Sequence, residues 1–127
     1  MKILVTGADG FVGSLLSRRL AEQGHDVTGG LRPDGASDAE RARRANLAGL
    51  RTESLELLEP ASVRAVAGAG WDTVIHLAAV SSVSDAERDP ARAWEVNTLG
   101  TARLVNELGE TRLAGADPLL LLVSSAE

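Results

Sequence analysis

Short apolar runs alternate with amphipathic stretches along this chain. Ile3-Leu4-Val5 is continuously apolar and rich in β-branched residues, as is Val74-Ile75. Such runs are typical of strands that are buried on both faces in a parallel sheet. The pattern predicts strands at residues 2–6, 27–31, 52–55, 73–77 and 119–123.

Helices are predicted between these strands. Apolar residues recur at helical spacing from Phe11 to Leu20, and Gly24 supplies a left-handed stop after them. The run Ser37-Asp38-Ala39-Glu40 resembles an N-terminal cap, and Pro90 suits the first position of a helix. The predicted helices cover residues 11–23, 39–48, 60–67 and 89–108.

Strands that alternate with helices indicate the α/β class. Because crossovers between parallel strands are right-handed, the elements predict a doubly wound parallel sheet with the order 3-2-1-4-5. A chain of 127 residues has room for one domain and one core, so residues 1–127 are interpreted as a single domain. The ligand crevice of such a sheet lies at the carboxyl ends of the first and fourth strands.

Composition and charge exclude several function classes. A net charge of −5 gives no general attraction for nucleic acid or anionic lipid, and no run approaches membrane-spanning length, so neither partner is expected. The absence of cysteine excludes disulfides, thiolate metal sites and a cysteine nucleophile; no metal site is predicted, and a cytoplasmic location is expected. A cluster of arginines is interpreted as a solvated helix face, and the alternative is a local basic patch; its members are Arg41, Arg43, Arg44 and Arg51.

Three glycines, Gly7, Gly10 and Gly13, follow the first predicted strand and open the first predicted helix. Backbone N–H groups at a helix N-terminus neutralise a pyrophosphate if no side chain blocks its approach. Gly7 then allows the tight turn, Gly10 the close approach of the phosphate, and Gly13 the close packing of the helix on the sheet. The spacing and its βαβ context predict a dinucleotide-binding turn; the alternative is a glycine-rich turn without a ligand.

The segment TGADGFVG at residues 6–13 resembles the extended branch of the short-chain dehydrogenase/reductase superfamily. Three later segments, GHDV at 24–27, HLAA at 76–79 and VNTLGT at 96–101, resemble motifs of this family in the same order. The resemblance covers essentially the whole chain and implies a Rossmann fold, the N-terminal, cofactor-binding portion of NAD-dependent epimerases and dehydratases. It assigns cofactor contacts to Gly7, Asp9, Gly10, Phe11, Val12, Gly13, Leu77, Ala78, Ala79 and Asn97.

The end of the second predicted strand bears on the choice of cofactor. A carboxylate there repels a 2′-phosphate, whereas an arginine favours it, and this corner reads Gly30-Leu31-Arg32. The sequence therefore favours NADP over NAD, unless Asp34 folds back and Arg32 is only a solvated loop residue. Glu56-Leu57 resembles the acid-leucine pair that this family places near the adenine amino group, with glutamate instead of aspartate.

The resemblance also implies catalytic residues after the fifth strand. Ser125 is the candidate for the hydroxyl that bonds the substrate oxygen, and Glu127 occupies the position of the proton-removing glutamate of 4,6-dehydratases. For Ser125 and its neighbour Ser124, the alternative is a hydroxyl that caps backbone groups.

Two other polar residues are interpreted as structural. His76 lies inside an apolar strand, and Asn97 is interpreted as a brace for the loop after the fourth strand.

A tyrosine-lysine pair is missing from the chain. In this family a tyrosine transfers the proton, a neighbouring lysine raises its acidity, and both lie on the helix after the fifth strand. The chain has no tyrosine, and its only lysine is Lys2. The resemblance therefore implies that the chain alone is inactive. It is expected to be truncated after the fifth strand, as an N-terminal fragment of a longer enzyme.

The longer enzyme is expected to modify a nucleotide-activated hexose by hydride transfer. The segments at 57–60 and 88–92 look most like those of GDP-mannose 4,6-dehydratases and GDP-6-deoxy-4-keto-hexose reductases, and relatives of this kind commonly form homodimers. The choice among epimerase, dehydratase and reductase stays open. Two other hypotheses remain: an inert remnant that needs a partner to cover its exposed faces, and a non-catalytic NADP(H)-binding sensor module.

Overall fold

The structure, a computed structural model, describes residues 1–124. This part of the chain contains a sheet of five parallel strands in the order β3-β2-β1-β4-β5. The predicted class and strand order are therefore confirmed. The strands are β1 (Lys2–Thr6), β2 (Asp26–Leu31), β3 (Arg51–Ser54), β4 (Thr73–His76) and β5 (Leu119–Leu122).

Helices cover both faces of this sheet. They are α1 (Phe11–Glu22), α2 (Asp38–Arg43) with a 3-10 turn (Arg44–Leu47), α3 (Pro60–Ala67), α4 (Val83–Arg88), α5 (Pro90–Trp94), a π-helical segment (Glu95–Gly100) and α6 (Thr101–Leu113). Among residues 1–124, none of the helices has the length and apolar character needed to cross a lipid bilayer.

The side chains of β1 divide the core between the two faces of the sheet, because successive residues of a strand point to opposite sides. Leu4 packs with Val63 of α3 and Leu104 of α6 on one face. Ile3 and Val5 pack on the other face, towards α1 and the 3-10 turn. Burial of each such side chain contributes about 1.5–3 kcal/mol to the free energy of unfolding. The sheet therefore has a core on both sides, and this packing fixes the position of its strands.

Helix α1 packs on the rest of the protein through both small and large residues. Its fully buried residues are small, namely Gly13, Ser14 and Ser17. Leu16 and Leu20 are partly buried and pack against the core, as the apolar spacing predicts. Phe11, Val12 and Leu15, by contrast, are more than half exposed.

The helical region between β4 and β5 differs from its prediction. The long helix begins at Pro90, as expected, and the Asp89 carboxylate accepts a hydrogen bond from a backbone N–H in its first turn. It then passes through the π-helical segment and ends at Leu113, beyond the predicted end at residue 108. Helix α4 is missing from the prediction. Its sequence signal is a cap, because the Ser82 hydroxyl accepts a hydrogen bond from the Asp85 backbone N–H.

The other boundaries lie within one residue of prediction, except in the second helix. There, the α-helix ends at Arg43 and the chain continues as a 3-10 turn to Leu47, instead of one helix over 39–48. Helix α1 ends at Glu22, and Gly24 follows with a φ of +88°. The predicted left-handed stop is thus confirmed.

Candidate functional site

A crevice of about 950 Å³ opens at the carboxyl ends of β1 and β4. It is bounded by the turn after β1, the end of β2, the loops after β3 and β4, and the helical stretch from α5 to α6. The strand order reverses between β1 and β4, which is the place where doubly wound sheets bind their ligands. The structure therefore has a crevice where the sequence predicts one.

Two glycines shape the turn between β1 and α1. Gly7 has a φ of +65°, which L side chains rarely adopt, and a Cβ added there would lie 2.9 Å from the Ala78 Cα. A Cβ on Gly13 would lie 2.2 Å from the Gly7 carbonyl oxygen, so Gly13 lets α1 pack on the turn itself and not only on the sheet. The backbone N–H groups of Gly7 and Ala8 donate to the Gly30 carbonyl oxygen, at 3.0 and 3.3 Å. The turn is therefore tied to the end of β2.

The N-terminus of α1 presents backbone donors without competition from side chains. Its N-cap, Gly10, makes no side-chain cap, and the first turn contains no acidic residue. The backbone N–H groups of residues 11–13, which line the crevice, lack partners within the helix. The positive end of the helix dipole favours an anion at this place. A cradle that a Cβ would fill, beside free N–H donors, fits the pyrophosphate of a dinucleotide.

Three arginines converge on the same end of the crevice. Arg44 forms an ion pair with the buried carboxylate of Asp9 at 2.9 Å, and the Nε of Arg43 donates to the Asp9 carbonyl oxygen at 2.8 Å. Arg32 donates to the Gly35 carbonyl oxygen at 2.6 Å. Because a guanidinium carries five N–H donors, the groups of Arg32 and Arg43, which line the crevice, keep donors for an anion.

The interpretation of the arginine cluster as a solvated face is wrong for two of its members. Arg43 and Arg44 are half-buried, because α2 ends beside the glycine turn, where Asp9 offers a carboxylate and a carbonyl oxygen. Arg41 and Arg51 do point to solvent, and each pairs with an exposed aspartate. Arg43 is thus a crevice residue that sequence reasoning missed.

Glu40 is the acidic residue that lies near Arg32. Burial opposes ionisation of its carboxyl group, but hydrogen bonds with the backbone and hydroxyl of Ser37, together with the charges of Arg32 and Arg43, lower its pKa. One carboxylate oxygen accepts from the Ser37 N–H at 2.6 Å and lies 3.7 Å from the Arg32 guanidinium. The Glu40 carboxylate therefore caps α2, as predicted from its capping box.

Glu56 and Leu57 lie in the loop after β3 and line the crevice. The Glu56 carboxylate accepts a hydrogen bond from the Leu58 N–H at 3.1 Å, and the Glu56 N–H donates to the Ser62 hydroxyl at 3.0 Å. Leu57 is buried. The loop thus fixes an acid-leucine pair at the crevice, and its contact with adenine stays a prediction.

His76 is buried at the end of β4, between two threonine side chains. Its Nδ1 lies 2.7 Å from the Thr6 hydroxyl, and its Nε2 lies 3.0 Å from the Thr101 hydroxyl. Burial lowers the pKa of the imidazole to about 4, so the ring is neutral near pH 7. These contacts support the structural interpretation of His76 over a role as a titrating catalyst.

Asn97 clamps the loop after β4. The Val80 backbone N–H donates to the Asn97 Oδ1 at 2.8 Å, and the Asn97 Nδ2 donates to the Val80 carbonyl oxygen at 3.0 Å. The predicted brace is thus confirmed. Asn97 itself belongs to the π-helical segment.

The crevice brings together every cofactor contact that the sequence predicts. These residues are Gly7, Asp9, Gly10, Phe11, Val12, Gly13, Arg32, Glu56, Leu57, Leu77, Ala78, Ala79 and Asn97. The predicted catalytic residues, Ser125 and Glu127, lie outside the described residues. Besides Arg43, the lining residues that were not predicted as site residues include Glu40, Arg92, Val96 and Thr101. The signal for Arg92, Val96 and Thr101 is helical spacing, because Val96 follows Arg92 by four residues and Thr101 follows Asn97 by four.

Comparison with known proteins decides the family. The model of the NAD dependent epimerase/dehydratase family matches residues 3–127. The chain belongs to this family. Membership in the epimerase/dehydratase family confirms the resemblance carried by the glycine turn and the three later motifs.

Relatives in this family act on nucleotide sugars according to their names. A UDP-glucose 4-epimerase of Mycolicibacterium smegmatis is 36% identical over 121 residues, 91% of this chain and 36% of that protein. UDP-glucuronic acid decarboxylase 1 of Danio rerio is 32% identical over 132 residues, 99% of this chain and 28% of that protein. The chain thus spans about a third of the length of the curated relatives it matches.

A solved structure of the family has the same fold. UDP-glucose-4-epimerase from Stenotrophomonas maltophila, determined with bound NAD and formylated UDP-arabinopyranose, is 25% identical, with a TM-score of 0.79. The match covers 99% of this chain and 37% of that structure.

Proposed function

We propose that this chain is the cofactor-binding N-terminal part of an NAD(P)-dependent enzyme that modifies a nucleotide-activated sugar. One observation carries the proposal: the glycine turn, the uncapped N-terminus of α1 and the guanidinium groups of Arg32 and Arg43 line one crevice. Their charges complement the phosphates of a dinucleotide. The nucleotide sugars named for the relatives support the substrate class.

Each lining segment has a task in this proposal. The backbone N–H groups of residues 11–13 receive the pyrophosphate, Glu56 and Leu57 border the adenine, and residues 77–79 with Asn97 border the nicotinamide ribose. When bound, the nicotinamide ring supplies the acceptor or donor of a hydride. Ser125 and Glu127 are proposed to contact the sugar, through a hydroxyl and a proton-accepting carboxylate.

The chain alone is proposed to bind the cofactor without turnover. Proton transfer at a sugar hydroxyl needs a group that titrates near the working pH, and the chain has no tyrosine. Its only lysine, Lys2, lies at the amino end of β1, whereas the crevice lies at the carboxyl ends of the strands. Its ammonium group donates to the Ala69 carbonyl oxygen and stacks on Trp71. No tyrosine-lysine pair is therefore available at the crevice from this chain.

Calorimetry of the chain with NADPH and NADH tests binding, and nicotinamide absorbance in the presence of UDP-glucose or GDP-mannose tests turnover. We expect micromolar binding and no change in absorbance. No heat at millimolar concentrations of either cofactor would overturn the binding function and leave an inert remnant. A change in absorbance that depends on the sugar would overturn the inactivity of the chain alone.

We also propose that the cofactor is NADP rather than NAD. Arg32 follows the end of β2 where an NAD-binding relative would place a carboxylate. Arg43 lies at the same end of the crevice, and the Glu40 carboxylate is engaged by the cap of α2. The relative from Stenotrophomonas was solved with NAD, so the test is a direct comparison. Tighter binding of NADPH than of NADH is expected; equal or tighter binding of NADH would overturn the preference.

A non-catalytic NADP(H)-binding module is a second candidate, favoured by a crevice that brings the predicted cofactor contacts together in a chain without tyrosine. Transcript sequencing tests the enzyme: a reading frame that continues past Glu127 into a Tyr-x-x-x-Lys segment supports it. A stop codon leaves the inert remnant and the binding module, which calorimetry with NADPH distinguishes. A homodimer of the longer enzyme, a cytoplasmic location and the lack of nucleic-acid or membrane partners stay predictions.

A further inference from the structure

A chain of hydrogen bonds runs through His76 at the floor of the crevice. The Thr6 hydroxyl bonds the His76 Nδ1 at 2.7 Å, and the Thr101 hydroxyl bonds the Nε2 at 3.0 Å. The Thr101 hydroxyl also bonds the Asn97 carbonyl oxygen at 2.8 Å. The chain of bonds thus connects the last residue of β1, the last residue of β4 and the helical turn that carries Asn97.

The direction of each bond follows from the Thr6 hydroxyl. Its oxygen accepts hydrogen bonds from the backbone N–H groups of Leu77 and Ala78, each at 3.1 Å. These two bonds occupy both lone pairs of the Thr6 hydroxyl oxygen. Its one hydrogen therefore points to the His76 Nδ1, which must be an acceptor. A neutral imidazole with an accepting Nδ1 carries its proton on Nε2. Nε2 then donates to the Thr101 hydroxyl, which donates in turn to a carbonyl oxygen of its own helix.

The other protonation states of His76 do not fit this site. The opposite tautomer and the imidazolium would both place an N–H at Nδ1, facing an oxygen whose lone pairs are already in use. The imidazolium would also bury a charge, and burial lowers the pKa of His76 to about 4. One state satisfies every donor and acceptor, namely the neutral ring protonated at Nε2.

We propose that His76 is a positioning residue: its Nε2–H, acting through Thr101, fixes the π-helical turn so that Asn97 can hold the loop after β4. π-Helical turns are rare and frequently occur at functional sites. Asn97 makes two bonds to Val80, and residues 77–79 before Val80 line the crevice. The effect on the cofactor rests on the proposed function, whereas the effect on the loop does not.

The tautomer is measured by 15N NMR of the imidazole rings near pH 7. The chain has two histidines, so His25→Gln leaves the His76 ring alone in the spectrum. A protonated Nε2 and an unprotonated Nδ1 are expected. A protonated Nδ1 would overturn the proposal, and this measurement needs no variant of the network.

The positioning role is tested by variants of Thr101. Thr101→Val removes the hydroxyl and keeps the branched shape, whereas Thr101→Ser keeps a hydroxyl. Thr111→Val is the matched control, because the Thr111 hydroxyl also bonds a carbonyl oxygen of α6, that of Leu108 at 2.7 Å, away from the crevice. Each variant is measured by hydrogen exchange of the Val80 amide without cofactor and by calorimetry with NADPH.

Thr101→Val is expected to speed Val80 exchange and to weaken NADPH binding, each about threefold to tenfold, as for the loss of one hydrogen bond. Thr101→Ser should recover both values towards wild type, and Thr111→Val should change neither. Unchanged Val80 exchange in Thr101→Val would overturn the proposal. Faster exchange with unchanged NADPH affinity would overturn the role in the crevice. If the wild-type chain binds no NADPH, only the proposed function fails, and Val80 exchange still decides the proposal.

Discussion

A buried carboxylate determines which arginine near the glycine turn remains available to a ligand. Asp9 is 6% exposed and pairs with Arg44. Without Arg44, the buried Asp9 carboxylate would be left as an uncompensated charge. Arg44 is therefore engaged by Asp9, and their ion pair fixes the turn against the end of α2. Among residues 1–124, Arg43 hydrogen-bonds the Asp9 carbonyl oxygen alone, through Nε, and its terminal nitrogens remain for an anion.

Replacement of Arg43 or Arg32 by alanine is expected to weaken NADPH binding and to change NADH binding little. A hydrogen bond from a charged donor is worth about 1.5–3 kcal/mol, or about tenfold to hundredfold in Kd, and only NADPH carries the 2′-phosphate. Arg41→Ala is the control, because Arg41 bonds Ala36 and Asp38 at the exposed side of α2. Calorimetry with both cofactors measures the effect. Equal losses for NADPH and NADH would contradict a 2′-phosphate site.

The neutral state of His76 is expected to make stability depend on pH. An unfolded histidine takes up a proton below about pH 6.5, whereas burial lowers the pKa of folded His76 to about 4. Between these values the unfolded chain binds more protons. The free energy of unfolding should therefore fall as the pH drops, by up to about 1.4 kcal/mol per pH unit.

Urea denaturation between about pH 6.5 and pH 5, where most carboxylates stay ionised, measures this dependence. In His76→Gln the slope of the free energy of unfolding against pH should decrease, even if the variant is less stable at every pH. His25→Gln is the matched variant for the loss of an imidazole. A slope that survives in His76→Gln but disappears in His25→Gln would contradict the assignment.

At the level of elements, continuous apolar runs were readable from the sequence and irregular helices were not. The strands β1 and β4 are continuously apolar in sequence because both of their faces are buried, and this pattern predicts them. Helix α4 has six residues and buries none, so it leaves no apolar period. The π-helical segment is held by the bonds between Asn97 and Val80 and, through the Thr101 hydroxyl, by His76, which no local pattern encodes.

The same distinction applies to the residues of the site. The glycine turn and the segment at 76–79 are contiguous motifs, so their placement at the crevice could be predicted. Arg43 could not be recognised, because its bond to Asp9 joins residues that lie far apart in the chain. Nothing in the helical pattern of α2 distinguishes Arg43 from the exposed Arg41.

Gly13→Ala is expected to disrupt the junction of β1 and α1. Its Cβ would lie 2.2 Å from the Gly7 carbonyl oxygen, and overpacking of this kind costs about 1–3 kcal/mol or more. The free energy of unfolding and the affinity for NADPH should both fall, as measured by urea denaturation and calorimetry.

Gly109→Ala is the matched control within α6. Nothing lies within 4 Å of a Cβ at Gly109, so alanine there should raise the free energy of unfolding by about 0.5–1 kcal/mol, through helix propensity. If Gly13→Ala were as stable as Gly109→Ala, close packing of α1 on the turn would not be what requires glycine.

For the molecule as a whole, the main liability is the apolar edge of the sheet. Leu119 and Leu121 point to the same side of β5 and are 66% and 51% exposed. Among the described residues, β5 pairs only with β4, so its other edge offers unpaired backbone groups. Exposed apolar edge strands favour association with other chains.

The chain is therefore expected to self-associate at micromolar concentrations, as observed by sedimentation velocity. The double substitution Leu119→Lys and Leu121→Lys should shift the chain towards monomer, because charged side chains disfavour pairing at an edge. Leu113→Lys is the control, since Leu113 is an exposed leucine at the end of α6 and does not belong to β5. A wild-type chain that sediments as a monomer at all concentrations would contradict this expectation.

The glycine turn is held by its own backbone bonds to Gly30 and by the bond from the Gly10 N–H to the Gly7 carbonyl oxygen at 2.9 Å. Because these bonds already order the turn, ligand binding does not incur the entropic cost of ordering a loop. Its association rate should then depend on diffusion and orientation, and the change in heat capacity should reflect the surface that the ligand covers rather than coupled folding. How long a dinucleotide stays bound would be decided by the contacts that it must break on leaving.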